Sequence, residues 1–253
     1  MWSLLRTSGA VALALGTLPV PAVAQADALP KGRAVIQRFI DAVGGEAALK
    51  RQAGRHVVGT FDVPAQGISG DLELYQAPPD RMAVTVTIPG IGTVRTGYNG
   101  TVAWNLNPML GPRVLDGLER AQLAQEADFE SGLYPERLFT ALETEAEEEF
   151  DGVPCYRVKV TTVDGESYVE FFDKSTGLQR GSRRTQGSPM GDIEAVSVVS
   201  DWRDVGGVKI PFKSVQRAMG IEQVVTIATV ETMAVPDSVF AVPAEIQALT
   251  GQQ

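Results

Sequence analysis

The sequence contains a single cysteine, Cys155, and a single histidine, His56. One cysteine permits no disulfide within the chain, so a packed core has to stabilise the fold. One histidine supplies neither a multi-histidine metal site nor a recognisable triad, and we interpret His56 as an ordinary strand residue. No Gly-x-Ser-x-Gly sequence is present, so the usual hydrolase nucleophile has no candidate. We therefore expect no catalytic residue, no metal ion and no cofactor, and we expect that the protein is not an enzyme.

Long apolar runs and positive charge are also scarce. No segment after residue 24 reaches 18 apolar residues, so no membrane-spanning helix and no stable membrane insertion are predicted. The chain has 22 Lys and Arg against 31 Asp and Glu, a net charge of −9. This balance disfavours binding of nucleic acid or of an anionic membrane surface through charge alone. Hydrophobic residues make up 44% of the chain, which is enough to build a core.

The N-terminal residues have the pattern of a secretory signal. Arg6 is the only charge before an apolar run from residue 10 to residue 18, and Ala22-Val23-Ala24 matches the small-x-small cleavage pattern. The run is too short to span a bilayer, and Pro19 interrupts its end. The pattern therefore predicts export of the chain with removal of this segment.

The predicted organisation follows from this cleavage site. We expect a signal peptide at 1–24, a linker at 25–30 and a single domain at 31–253. Removing the signal peptide leaves 21 basic and 31 acidic residues, a net charge of −10. Because Cys155 is far from the new N-terminus, the mature chain has no cysteine there for lipid anchoring. We expect a periplasmic protein that is monomeric.

Between residues 55 and 233, apolar and polar residues alternate with period two, which is typical of strands. Turn sequences such as Pro89-Gly90 and Asn99-Gly100 separate these segments. We predict a mainly β fold with some α-helix, built on one curved antiparallel sheet or unclosed β-barrel of about 11 strands. At most 12 segments qualify as strands: His56–Val63, Ile68–Gln76, Arg81–Ile88, Gly92–Tyr98, Thr101–Leu106, Thr144–Phe150, Tyr156–Val163, Ser167–Asp173, Leu178–Gln186, Ile193–Asp201, Val208–Gln216 and Gln223–Met233.

Three segments have helical spacing instead. The apolar residues from Val35 to Val43 recur at steps of three and four, and Glu46–Gln52 adds one or two turns. The segment Leu115–Phe129 has the same spacing. Pro135 suits the first turn of a further helix, which we predict to continue through Leu142.

The alternation puts apolar side chains on one face of many strands, as with Met82, Val84 and Val86. Soluble monomers rarely expose so large an apolar face, so the helices must cover it. The helices are too short to fill a wide sheet, and we expect them to form a lid over an apolar cavity. Candidate ligand-contacting residues are Leu72, Leu74, Met82, Val84, Val86, Trp104, Leu106, Met109, Val158, Phe171, Met190, Trp202 and Phe212. Met109 and Met190 are favoured because each follows a proline in a loop and has an adaptable thioether.

Two charged segments have alternative interpretations. The acidic stretch at 143–151 lacks the ligand order of a calcium loop and is interpreted as the solvated side of a strand. The cluster of Arg180, Arg183 and Arg184 is interpreted in the same way. The alternative is that both are contact surfaces, for a protein partner or for lipid head groups.

Several phrases, in this order, resemble the periplasmic outer-membrane lipoprotein-sorting family, which has the LolA/LolB type of lipoprotein-carrier fold. The resemblance covers nearly the whole mature chain. The phrases are Ile40-Asp41-Ala42-Val43-Gly44-Gly45, Ile88-Pro89-Gly90-Ile91-Gly92, Val102-Ala103-Trp104, Asn107-Pro108-Met109, Gly111-Pro112-Arg113, Asp151-Gly152, Pro154-Cys155-Tyr156, Phe172-Asp173-Lys174, Thr176-Gly177-Leu178, Ser188-Pro189-Met190-Gly191 and Val208-Lys209-Ile210-Pro211-Phe212.

The resemblance implies an unclosed β-barrel whose cavity shields the acyl chains of lipoproteins or lipids during transfer towards the outer membrane. It implies an acylated lipoprotein or a lipid as ligand, with an inner-membrane donor and an outer-membrane acceptor protein as partners. Nucleic acid is not an expected partner. The alternative that stays open is a periplasmic sensor or adaptor of the same fold, which binds a protein and has no transport role.

Overall fold

The computed structural model describes residues 28–131, 133–189 and 191–250. The predicted signal peptide, the start of the predicted linker and Met190 lie outside these ranges. The described chain forms four α-helices, α1 (Gly32–Ala42), α2 (Gly45–Leu49), α3 (Gly117–Ala127) and α4 (Ala244–Thr250). Its strands are β1 (Arg55–Val63), β2 (Ile68–Ala77), β3 (Arg81–Ile88), β4 (Gly92–Asn99), β5 (Ala103–Asn107), β6 (Gly111–Val114), β7 (Phe139–Phe150), β8 (Val153–Thr162), β9 (Ser167–Asp173), β10 (Gln179–Gln186), β11 (Ile193–Val205), β12 (Val208–Ala218) and β13 (Ile221–Thr232).

All 13 strands belong to one antiparallel sheet, in the order β6-β5-β4-β3-β2-β1-β13-β12-β11-β10-β9-β8-β7. The first and the last strand pair in the middle of the sheet, so β6 and β7 are its two free edges. The predicted fold class, a mainly β chain with one antiparallel sheet that does not close, is confirmed. The strand count exceeds the prediction because Gly111–Val114 adds a short edge strand to β5.

The sheet is strongly curled. Leu72 and Met82, from β2 and β3, line the same cavity as Ser182 and Arg184 from β10. The strand order puts six strand spacings between β3 and β10, which is about 29 Å in a flat sheet. Because one cavity is lined from both sides, the sheet bends round it. We call the face that carries Met82 the inner face and the opposite face the outer face.

Three helices lie on the inner face. Val35, Ile36 and Ile40 of α1 form one hydrophobic cluster with the buried Val158 and with other residues of β8 and β9. Helix α2 covers the end of β12 in a cluster that includes Ala48, Val208, Ile210 and Phe212. Helix α3 packs against β3, β4 and β5. Within the described ranges, no helix is long and apolar enough to cross a membrane.

The outer face is also partly buried. Near β2 and β3, the segment after β13 covers it, with Val235 and Phe240 packed on Ala77. Near β8 to β11, Phe150, Cys155 and Phe171 form a separate cluster with Val198. Both faces of the sheet therefore hold hydrophobic side chains, although the sequence analysis assigned a cover to one face alone.

One predicted element is wrong. The helix expected from Pro135 to Leu142 is a single 3₁₀ turn, Pro135–Arg137, and β7 already begins at Phe139. The pairing of Phe139 with Thr162 and of Leu142 with Val160 extends the strand, because these neighbours offer a ladder that local propensity does not encode. Helix α4 at the C-terminus was not predicted, and its Ile246 is fully buried.

Candidate ligand-binding site

The curled sheet encloses a main cavity of about 640 Å³. One wall is formed by β1, β2, β3 and β13, whose inner-face residues recur at every second position because strand side chains alternate between faces. This wall is mainly apolar, and Arg55 and Gln76 are its polar members. Its apolar residues are Val57, Leu72, Leu74, Met82, Val84, Val225 and Ile227.

The opposite wall of the main cavity is polar. It is formed by β10, β11 and β12, and most of its side chains are hydroxyls and amides, from Ser182, Gln186, Ser197, Ser214 and Gln216. Val199, Ile210 and Pro211 are its apolar members. Charged groups stand at the margins, with Arg55 on β1, Arg184 on β10 and Glu126 on α3. The cavity is therefore amphipathic, with one surface for hydrocarbon and one for polar atoms.

Helix α3 bridges the open side of the sheet. Its apolar side packs on the first half of the sheet, where Leu123 and Ala127 lie in one cluster with Met82. Its polar side is bonded to β10 and the residues that follow it. Gln122 donates to the Thr185 carbonyl (2.8 Å) and accepts from the Gly187 amide (3.1 Å). The chain must cross here, because α3 lies in the connection from the edge strand β6 to the opposite edge strand β7.

A second cavity of about 370 Å³ adjoins the main one and shares Glu126, Ser182 and Arg184 with it. Helix α1 forms its apolar side through Ile36, Phe39 and Ile40. Tyr168 and Glu170 of β9 contribute polar groups. The three shared residues therefore form a polar boundary between two partly apolar compartments.

Two carboxylates near this boundary, Glu170 and Glu126, have raised pKa values. Desolvation raises the pKa of Glu170 to about 7 and also raises the pKa of Glu126, and the nearby positive charge of Arg184 opposes both shifts. Arg184 forms an ion pair with Glu166 at 3.4 Å and lies over the Tyr168 ring. The positive charge of Arg184 therefore interacts favourably with three carboxylates, those of Glu126, Glu166 and Glu170.

Arg55, on β1, also lies at the margin of the main cavity. Its Nε donates to Gln76 Oε1 at 2.7 Å, and its guanidinium carbon lies 5.3 Å from the centre of the Phe129 ring. Desolvation lowers the pKa of Arg55 to about 10. Within the described part of the chain, no ion pair involving Arg55 is formed.

Most of the predicted ligand-contacting residues lie on the inner face. Leu72, Leu74, Met82 and Val84 line the main cavity, and Val86 shares their face one pair further along β3, opposite Leu72. Others are covered by helices, since Val158 packs under α1 and Phe212 under α2. Trp202 contacts Phe39 of α1, with ring centres 6.1 Å apart.

Four predicted residues lie away from the inner face. Trp104 and Leu106 pair with Gly97 and Arg95, which puts them on the outer face, and Phe171 lies in the outer-face cluster with Phe150. The cause is that aromatic residues were assigned to the cavity although the outer face has its own buried clusters. Met109 is 80% exposed in the turn between β5 and β6, away from the cavity.

Two arginines of the cluster contact the acidic stretch, in the pairs Arg183–Glu148 (2.8 Å) and Arg180–Asp151 (2.6 Å). Two further basic residues pair with the same stretch, as Arg157–Glu145 (3.2 Å) and Lys174–Glu147 (2.5 Å). Arg183 also covers the stacked Phe150 and Phe171 rings. Most of the acidic stretch is thus neutralised within the chain. Among the described residues, no group of three or more potential metal ligands occurs.

The single histidine, His56, and the single cysteine, Cys155, make contacts that are typical of structural residues. His56 stacks on Tyr75 with ring centres 4.3 Å apart, and its Nε2 is 2.8 Å from Glu73 Oε1. Cys155 is fully buried, and desolvation raises the pKa of its thiol to about 11. A thiol with so high a pKa is a poor nucleophile near neutral pH.

The polar residues of the site were not predicted, above all Arg55, Gln76, Gln122, Glu126 and Glu170. A signal was present for two of them. Arg55 precedes Val57 by two positions, and Gln76 follows Leu74 by two, so strand periodicity puts each on the apolar face. A charged or amide side chain at an inward-facing position is a departure from the pattern and therefore marks a candidate functional group.

Comparisons with known proteins identify the fold. No protein-family model and no curated protein matches the chain. Among solved structures, a LolA superfamily protein from Nitrosomonas europaea is similar with a TM-score of 0.58 and 13% identity, over 85% of this chain and 99% of that one. A DUF1329 family protein from Desulfovibrio piger has a TM-score of 0.57 and 12% identity, over 84% and 98% of the two chains.

A third solved structure is a domain described as an outer-membrane lipoprotein-sorting protein, from Vibrio parahaemolyticus. Its TM-score is 0.56 with 10% identity, over 83% of this chain and 95% of that one. The chain therefore has a LolA-like fold, as the sequence resemblance predicted. At these identities the likeness concerns the fold.

Proposed function

We propose that this protein is an exported carrier, which binds the acyl chains of lipoproteins or lipids in the main cavity and moves them across the periplasm towards the outer membrane. The observation that carries the proposal is the amphipathic cavity of about 640 Å³ between the apolar wall of β1, β2, β3 and β13 and the bridging helix α3. The LolA-like fold supports the same conclusion. In this proposal Leu72, Leu74, Met82 and Val84 contact the acyl chain.

The energetics of burial suit such a ligand. Transfer of hydrocarbon from water gains about 0.8 kcal/mol per buried CH₂ group, so an acyl chain of about 16 carbons gains roughly 10 kcal/mol before the costs of association. A carrier also has to release its ligand. Helix α3 suits this requirement because its contacts with β10 are a few polar bonds, whereas its contacts with β3 are apolar.

The proposal includes the surroundings in which the carrier works. The signal-like N-terminus would direct a monomeric chain to the periplasm, with an inner-membrane donor and an outer-membrane acceptor protein as its partners. The alternative function, a sensor or adaptor that binds a protein, would need the acidic stretch and the arginine cluster as contact surfaces. Because Arg180 and Arg183 already pair with acidic side chains of that stretch, we favour the carrier.

A pair of variants on one strand tests the site. Val84 faces the cavity, whereas the next residue, Thr85, lies on the outer face between Glu73 and Arg95. We expect Val84→Asp to weaken the binding of a fluorescent fatty acid by at least about tenfold, because a carboxylate in an apolar wall has to be desolvated when hydrocarbon binds. Thr85→Asp introduces the same charge one residue away and should bind as the wild type does.

Circular dichroism of both variants establishes that the sheet is intact. Unchanged fatty-acid binding by a folded Val84→Asp protein would contradict the assignment of this wall. A purified wild-type protein that takes up no acyl ligand at all would contradict the proposed function itself.

A further inference from the structure

Arg55 is a positive charge at the margin of an apolar wall. It lines the main cavity, and its row across the sheet includes Thr232 on one side and Gln76 and Met82 on the other. In the part of the chain that the structure describes, no carboxylate forms an ion pair with it. Desolvation is the sole cause of its lowered pKa, and no acidic group opposes that shift. An unpaired charge in such surroundings is costly, and an anion beside it would offset that cost.

The neighbours of Arg55 hold its side chain in place and leave part of it free. Gln76, which is 5% exposed, accepts from Arg55 Nε and donates to the Glu126 carbonyl at 3.0 Å. The ring of Phe129, a residue that follows α3 in the chain, lies against the Arg55 guanidinium. Both terminal guanidinium nitrogens make no hydrogen bond within the described residues. Two parallel N–H donors in this geometry match the oxygen atoms of a carboxylate or a phosphate.

The apolar residues extend from Arg55 in one direction. The next row of inner-face residues is Val57, Leu74 and Val84, and the row after it contains Leu72 and Val86. Each row is two residues further along the strands, so the second row lies roughly 14 Å from the row of Arg55. A charged group bound at Arg55 would therefore be followed by a continuous hydrocarbon surface.

We propose that Arg55 binds the anionic head group of the acyl ligand, a carboxylate or a phosphate, while the chain lies along β1, β2 and β3. This inference rests on the proposed function and specifies its ligand as an anionic amphiphile. Arg184 is the other arginine of the cavity, but it is already paired with Glu166. Arg55 is therefore the group that distinguishes an acid from a neutral lipid of the same length.

The experiment compares two chain-matched ligands, dodecanoate and 1-dodecanol, by their displacement of a fluorescent fatty acid from the mature wild-type protein. We expect dodecanoate to bind more tightly by on the order of 10- to 100-fold, the range for hydrogen bonds to a charged group. Arg55→Gln should abolish this preference by weakening dodecanoate binding and leaving dodecanol binding unchanged. Arg95→Gln, the same substitution on the outer face of β4, should keep the preference.

Further arms separate the sources of the anion and the causes of failure. Dodecyl phosphate should bind as dodecanoate does, whereas inorganic phosphate alone should not displace the probe; displacement by phosphate in an Arg55-dependent manner would indicate a free-anion site and overturn the proposal. The wild-type comparison needs no variant, so it remains decisive if Arg55→Gln fails to fold. Equal affinity of the wild type for dodecanoate and dodecanol overturns this inference alone, while failure to bind either overturns the proposed function as well.

Discussion

The hydrogen bonds of the Gln122 side chain hold helix α3 in place across the cavity. Removing them tests whether α3 acts as a lid. The Gln122 side chain is 6% exposed and makes three hydrogen bonds, to the Thr185 carbonyl, the Glu166 carboxylate and the Gly187 amide. Gln122→Ala removes all three. It does not weaken the helix itself, because alanine has the higher helix propensity.

The magnitude follows from the number of bonds. At about 1 kcal/mol for each net hydrogen bond, the loss is roughly 2–3 kcal/mol, which increases the population of the opened helix by roughly 30- to 140-fold. The increase should be local to α3, because the three lost bonds are made by the Gln122 side chain and none of them belongs to the backbone ladders of the sheet.

Amide hydrogen exchange followed by mass spectrometry measures this opening. Peptides that cover Gly117–Ala127 should exchange faster in Gln122→Ala, while peptides from β11 should keep the wild-type rate. Gln37→Ala, which removes one exposed hydrogen bond to Asp41 on α1, is the control and should leave both regions unchanged. Unchanged exchange in α3, or an equal increase throughout the sheet, would refute the role of Gln122 as the fastening of a lid.

Three further predictions concern stability. Burial raises the pKa of Glu170 from 4.5 to about 7, so between these pH values the folded protein keeps a proton on Glu170 that the unfolded chain releases. The free energy of unfolding should therefore fall as the pH rises from 4.5 to 7. Glu170→Gln should have a higher Tm than the wild type at pH 8, and the two Tm values should converge near pH 4.5. Phe171→Ala should cost about 3–5 kcal/mol in urea unfolding, because the ring is fully buried; the folded fraction should still bind acyl ligand, and loss of binding would contradict its outer-face position. Arg183→Ala should cost about 1 kcal/mol in the same assay through lost contact with Phe150 and Glu148, and no change would mean that this cover is dispensable.

The strand pattern predicted much of the fold, because half-buried strands impose a strict period of two. Leu72, Leu74, Met82 and Val84 were assigned to one inner surface from alternation, and the register puts them there. The alternation of apolar and polar residues along a strand does not indicate which face of the sheet becomes concave. Trp104 was therefore assigned to the same surface as Met82, although it packs on the outer face beside Gly97.

The rest of the site depends on contacts between residues far apart in the chain. The connection of Gln122 to Thr185 joins residues 63 positions apart, and no local pattern encodes it. The extension of β7 back to Phe139 likewise depends on pairing with Thr162. Polar residues within apolar rows, as with Arg55, were visible in the sequence but acquire their meaning from the cavity that they face.

Native mass spectrometry of the mature protein, purified gently from a bacterial periplasm and then extracted with organic solvent, tests the carrier proposal most directly. We expect an additional bound mass that passes into the solvent as a phospholipid or as another acylated molecule. A chain that has the mass of the polypeptide alone, and that takes up neither lipid nor lipopeptide on incubation, would contradict it.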